Sequence, residues 1–122
     1  MAKILIIDDS AIIRKLLADF LTDSGHKVHC SATAHEGITE ATTKQFDLCI
    51  CDLHLPKTTG YDVLTAVLKK KPLMRFLFTD SMPDQIAEQI NGVGDYNCIR
   101  KPFELDQLRS ILDNILKPVK SH

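Results

Sequence analysis

Short apolar runs alternate with segments of helical periodicity along the whole of this 122-residue chain, and nothing else in it narrows the fold as much. Lys3 to Asp8 has buried-strand character and stops at two acids; behind Ser10, a helix-capping residue, Ile13, Leu16, Leu17 and Phe20 recur at helical spacing. Gly25 closes that helix in the position after its C-cap, and His26 to Ala32 reads as a second strand with Val28 and Cys30 on one face. Thr33 to Glu36 is a capping box opening a helix to about Lys44. Phe46 to Cys51 is a third strand ending on Asp52, and Thr59 to Asp62 is a second capping box for a helix to about Lys70. Pro72 breaks that helix, Leu73 to Phe78 forms the fourth strand, and Ser81 to Asp84 caps a short helix ending near Gly92. Tyr96 to Arg100 is the fifth strand, its polar Asn97 and Arg100 suiting a sheet edge, and Pro102 leads into a last helix carrying Leu105, Leu108, Leu112 and Ile115.

Strict strand–helix alternation implies an α/β, doubly wound fold: a five-stranded parallel sheet, right-handed crossovers and helices on both faces. In such folds ligands bind beyond the carboxyl ends of the strands. Asp8 and Asp9, Asp52, Thr79 and Lys101 follow strands one, three, four and five, and are expected to converge at that edge. Carboxylates gathered there repel one another, which requires a raised pKa or a cation between them. An all-oxygen donor set with no nearby His or Cys suits magnesium, with manganese as the alternative, and such a metal normally serves phosphate chemistry. Lys101 brings a second positive charge, Thr79 a hydroxyl, and Asp52 is placed as the nucleophile for phosphoryl transfer.

Over Lys3 to about Leu116 the chain resembles the receiver domain of two-component response regulators, of the chemotaxis-regulator-like kind. Asp8-Asp9 is similar to the family's acidic, metal-binding pair. Asp52 followed by Leu53-His54-Leu55-Pro56 and Gly60 resembles its phosphorylation loop, Thr79 its switch hydroxyl, and Lys101-Pro102-Phe103 its lysine motif. The resemblance implies a flavodoxin-like strand order of 2-1-3-4-5 and a Mg2+ site made by Asp8, Asp9, Asp52 and the backbone carbonyl of His54. It also implies a phosphoryl group passed to Asp52 from a histidine kinase or a histidine phosphotransfer protein. The domain assists this chemistry without being an enzyme, and its output is a changed protein-binding surface on the fourth helix, fifth strand and fifth helix. Gln85, Glu88, Gln89, Tyr96, Gln107, Arg109 and Asp113 are the expected contacts. Residues 1–117 would form the receiver domain and 118–122 a short tail.

Two positions depart from the pattern, and a third bears on its kinetics. The family usually carries an aromatic residue three positions before the lysine, where this chain has Cys98; Tyr96 shares its strand face and is expected to serve packing or an interface rather than to replace the lost ring. The residue after the switch threonine is usually small, whereas here it is Asp80, expected to face solvent; turned inward it would repel an incoming phosphate. His54 lies where the family tunes the lifetime of its phosphoryl group, and is expected to be an exposed loop histidine.

Fifteen Lys and Arg against sixteen Asp and Glu give a net charge of −1, which provides no basic field for direct nucleic-acid binding. The four-residue apolar run before Asp8 is too short for a signal peptide or membrane insertion, so a cytoplasmic protein is expected. Cys30, Cys49, Cys51 and Cys98 lack metal-ligand spacing and read as reduced packing thiols. Flavodoxin and aspartate-dependent phosphatase readings fail on their loops: Asp8-Asp9 stands where a flavin phosphate needs a Ser/Thr/Gly-rich turn, and His54 where the phosphatases need a second Asp. The remaining rival is a phosphorylation-independent pseudo-receiver acting as a protein-interaction module. The stretch after the last helix has no room for an effector domain, so output is expected through a partner, whether the chain stands alone or is one domain of a longer protein.

Overall fold

The computed structural model describes residues 1–80, 85–94 and 96–116. Its elements run β1 (Lys3–Ile7), α1 (Ala11–Asp23), β2 (Lys27–Ser31), α2 (Ala34–Thr43), β3 (Leu48–Asp52), two short strands β4 (His54–Leu55) and β5 (Thr58–Thr59), α3 (Gly60–Leu68), β6 (Phe76–Asp80), α4 (Gln85–Asn91), β7 (Asn97–Arg100) and α5 (Leu105–Ile115). The main sheet is parallel, ordered β2-β1-β3-β6-β7, and β4 and β5 form a separate antiparallel ladder. Counted along the chain, the five main strands therefore stand in the order 2-1-3-4-5, the flavodoxin-like arrangement, with β7 at an edge as its polar residues suggested.

Alternation of side chains along the buried strands creates two cores, one on each face. Ile4, Ile6, Leu48, Ile50, Leu77 and Ile99 meet Leu17 and Leu21 of α1 and Leu108 and Leu112 of α5. Leu5, Ile7, Cys49, Cys51, Phe76 and Phe78 meet α2, α3 and α4 through Ala34, Ala41, Val63, Leu64, Val67 and Ile90. Each large apolar side chain so buried stabilises the fold by about 1.5–3 kcal/mol relative to exposure.

The helix starts follow the capping chemistry of the sequence. Ser10, Thr33 and Thr59 each accept a hydrogen bond from the backbone N–H three residues on, at Ile13, Glu36 and Asp62. Gly25, at φ +93°, turns the chain out of α1 in a conformation that costs glycine little. Two apolar assignments shift: Leu16 is exposed and Leu21 takes its place in the core, while Leu105 lies at the rim of α5. The fourth strand moves more. Leu73 is 91% exposed and the strand runs from Phe76 to Asp80, so Thr79 lies within it rather than after it. The expected cap at Ser81 to Asp84 and the tail 118–122 fall outside the described residues.

Gly60 is where the backbone is tightest: a Cβ there would stand 2.9 Å from the Asp52 carbonyl oxygen and 3.1 Å from Leu53 Cα. Backbone atoms cannot yield as a flexible side chain can. Gly60→Ala is expected to destabilise the protein by about 1–3 kcal/mol in urea denaturation, from overpacking against the segment that carries Asp52. Unchanged stability would mean that this segment has slack.

Candidate functional site

Strand order reverses between β1 and β3, the position at which doubly wound sheets open a crevice. Asp8 follows the end of β1 and Asp52 is the last residue of β3. Asp8 is fixed from both sides: its Oδ1 accepts the Ser10 N–H at 2.9 Å, and its backbone carbonyl accepts from Arg14 Nη1 at 2.8 Å. Asp9 is exposed beside it. One carboxylate oxygen from each of Asp8, Asp9 and Asp52 falls within a 4.8 Å cluster, as the spacing of acids and strands predicted.

Asp52 sits in register opposite Thr79 of β6, and the Leu53 N–H donates to the Thr79 carbonyl at 2.9 Å. Asp52 Oδ1 accepts the His54 N–H at 3.1 Å, and its Oδ2 accepts from Lys101 Nζ at 3.1 Å. The same ammonium donates to Asp8 Oδ2 at 2.9 Å. Lys101 follows β7 and reaches this position across the ends of β6 and β3, joined to Pro102 by a cis peptide bond. The Thr79 hydroxyl is buried and meets no hydrogen-bond partner among the described residues. A buried hydroxyl left without a partner is costly, and at a strand end it marks a place for a ligand oxygen.

The charges shift as this geometry requires. Burial pushes the Asp52 carboxyl above its ordinary value; the His54 N–H and Lys101 pull against that rise, and Asp8 adds to it. Burial opposes the charge on Lys101, but the Asp8 and Asp52 carboxylates outweigh it and hold the ammonium above the usual lysine range. A hard cation fits this donor set: three carboxylates, two of them buried, with no sulfur or imidazole donor in the cluster.

Two expectations about the rim need correction. Asp80 is buried, 5% exposed, rather than turned to solvent. It shares the sheet face of Phe76 and Phe78, opposite to that of Thr79, and its Oδ1 lies 3.6 Å from His54 Nε2. His54 is accordingly a half-buried residue of β4, not an exposed loop histidine. Strand alternation carried two residues beyond Phe78 would have located Asp80. Cys49 and Cys51 are core residues whose thiols burial pushes far up, which disfavours the thiolate that redox sensing needs. Cys98, in contrast, is exposed and not packed in the core. Tyr96 packs edge-on against Phe76 and Phe78, at 6.2 and 6.0 Å between ring centroids, a packing role as expected. Arg14 is a site residue that the sequence did not single out; its only signal was a cation one turn into the helix behind the acids.

The response regulator receiver domain family matches residues 4–113 of the chain. The probable transcriptional regulator ycf27 of Cyanidium caldarium is 30% identical over 120 residues, covering 97% of this chain and 47% of that protein. The chemotaxis protein CheY of Thermotoga maritima is 27% identical over 118 residues, covering 94% of this chain and 98% of that protein. The high-resolution structure of Vibrio cholerae chemotaxis protein CheY4 is similar with a TM-score of 0.87 at 28% identity, covering 95% of this chain and 99% of that one. The chain spans about half the length of several curated relatives it matches, 53%, 47% and 49% of three of them. No helix of the described residues is long and apolar enough to cross a membrane.

The raised pKa of Asp52 sets a direction for stability. A carboxyl whose folded pKa lies above its unfolded value of about 3.8 stabilises the fold fully below that value, and this contribution is lost as pH rises through the folded pKa. Asp52→Asn is therefore expected to be more stable than the unaltered protein at neutral pH, the difference closing below about pH 4 in thermal unfolding. A variant less stable at neutral pH would mean that attraction to Lys101 outweighs burial.

Proposed function

We propose, because this chain belongs to the response regulator receiver domain family, that Asp52 is its phosphoacceptor and that Asp8, Asp9, Thr79 and Lys101 complete the phosphoryl-transfer site. The observation that carries the reading is the convergence at one strand end of the Asp52 carboxylate, the Lys101 ammonium and the buried Thr79 hydroxyl, which has no partner among the described residues. Such a family is a phosphoacceptor signalling family and not an enzyme family in the ordinary sense.

An Asp52 carboxylate oxygen attacks phosphorus in line as the bond to the donor's leaving group breaks, and that group, an imidazole nitrogen in a phosphohistidine, departs with the electron pair. Magnesium, or manganese in its place, would be held by the Asp8, Asp9 and Asp52 carboxylates and the His54 carbonyl, and would supply positive charge for the phosphoryl oxygens. Once Asp52 is phosphorylated, as an acyl phosphate, its own carboxylate charge is gone and the phosphoryl oxygens carry the charge instead. Lys101, now hydrogen-bonded to Asp8 and Asp52, then shifts toward the phosphoryl oxygens, and the Thr79 hydroxyl donates to one of them. Thr79 and Lys101 sit on β6 and beyond β7, so their movement reaches α4, β7 and α5.

The donor is a histidine kinase or a histidine phosphotransfer protein, and the phosphorylated form is read by a downstream protein at α4, β7 and α5. Glu88, Gln89, Gln107, Arg109 and Asp113 are exposed there; the side chain of Gln85 lies outside the described residues. The receiver unit comprises residues 1–117 and works in the cytoplasm without contacting nucleic acid directly.

Intact-protein mass after incubation with magnesium and acetyl phosphate tests this reading. One phosphoryl adduct is expected, absent without magnesium and absent in Asp52→Asn. A folded protein that takes up no phosphoryl group from acetyl phosphate or from a cognate kinase would overturn it, and would favour a phosphorylation-independent interaction module.

A further inference from the structure

Around Asp52 the contacts close into a ring that the transfer chemistry does not itself require. The Leu53 N–H joins the Thr79 carbonyl, the next residue Asp80 faces the His54 imidazole at 3.6 Å, and the His54 N–H returns to Asp52 Oδ1 at 3.1 Å. Two parts of this ring involve side chains: the Asp80–His54 contact, and the Asp52 carboxylate that accepts the His54 N–H. At 3.6 Å the Asp80–His54 contact is electrostatic rather than a close hydrogen bond. The Asp80 carboxylate and the facing Nε2 atom are nevertheless both withdrawn from water, so the effective dielectric between them is low.

We infer that Asp80 is a positioning residue for Asp52, acting through His54: by holding the imidazole it fixes the segment whose N–H orients the Asp52 carboxylate for attack. Alternation in β6 places the Asp80 side chain on the Phe78 face, away from the face that Thr79 shares with the Leu77 side of the sheet. Its negative charge is thereby set to one side of the path of an anionic phosphodonor and beside the His54 imidazole. This rests on Asp52 being the phosphoacceptor. An acid at this position then helps transfer instead of hindering it, because a reacting carboxylate out of line by a fraction of an ångström loses much of its rate.

The test measures the rate of Asp52 phosphorylation by acetyl phosphate with saturating magnesium, over a range of donor concentrations, in the unaltered protein and in Asp80→Ala, Asp80→Asn, His54→Ala and the Asp80→Ala/His54→Ala pair. Asp80→Ala is expected to lower the maximal transfer rate about tenfold with the half-saturating donor concentration unchanged. Asp80→Asn, which keeps an oxygen facing the imidazole, restores most of the rate. His54→Ala matches Asp80→Ala, and the double variant is no slower than either, the non-additivity of two residues acting as one unit. A rate that rises in Asp80→Ala, or a fall that adds to that of His54→Ala, would overturn the inference and make Asp80 an electrostatic barrier or an independent structural group. If the unaltered protein forms no adduct from acetyl phosphate or from a cognate kinase, the assignment of Asp52 itself fails, an outcome distinct from an adduct formed at equal rates in all variants, which sinks the positioning role alone. Thermal unfolding of each variant separates loss of fold from loss of rate, and His54→Ala keeps the test decisive should Asp80→Ala not fold.

Discussion

Asp8 and Asp52 are both buried, and a single ammonium stands between them. Lys101 Nζ lies 2.9 Å from one carboxylate and 3.1 Å from the other, and the exposed Asp9 adds a third acid to the same cluster. Burying like charges this closely is tolerable only where a cation neutralises them. The cation comes from 93 residues beyond Asp8 and 49 beyond Asp52. Only a sheet that brings the ends of β1, β3 and β7 to one edge, with β6 spanning the gap, can assemble it. Fold and site are thus one constraint: the strand order that leaves a crevice between β1 and β3 also determines which residues can share a charge.

That arrangement is poised for exchange. The ammonium satisfies two carboxylates, Asp52 is held against the cost of its burial, and Thr79 presents a hydroxyl with no partner among the described residues. A phosphoryl group on Asp52 would remove one negative charge from the aspartate and bring several acceptor oxygens. Every imbalance in the site points toward that product. Two cores, divided by the sheet, lie beneath the site, and β6, which carries Thr79, contributes to both.

Much of this was legible in the sequence because its signals are local and strong. Ser10, Thr33 and Thr59 are caps whose chemistry acts within three residues, and the apolar runs ending at Asp8 and Asp52 are those of strands buried on both faces. Misreadings arose where a local signal competed with long-range packing. Leu73 extends an apolar run but lies before β6, outside the sheet, and Leu16 is exposed while Leu21 of the same helix lies in the core. Asp80 was misread because ending the fourth strand at Phe78 hid the alternation that buries it, and His54 because its partner comes from another strand. Cys98 carries no sequence signal to tell an exposed edge position from a packed one.

Calorimetric titration with magnesium of the unaltered protein beside Asp9→Asn asks directly whether the three carboxylates form one cation site. Asp9 is exposed, so its amide should leave the fold intact while removing one donor from the cluster. Binding of one ion by the unaltered protein, weakened about tenfold or more in the variant, is the predicted result. No binding would contradict it, because the buried acids would then be held by Lys101 alone; equal binding by both proteins would contradict it too, because Asp9 would then not be a donor of the site.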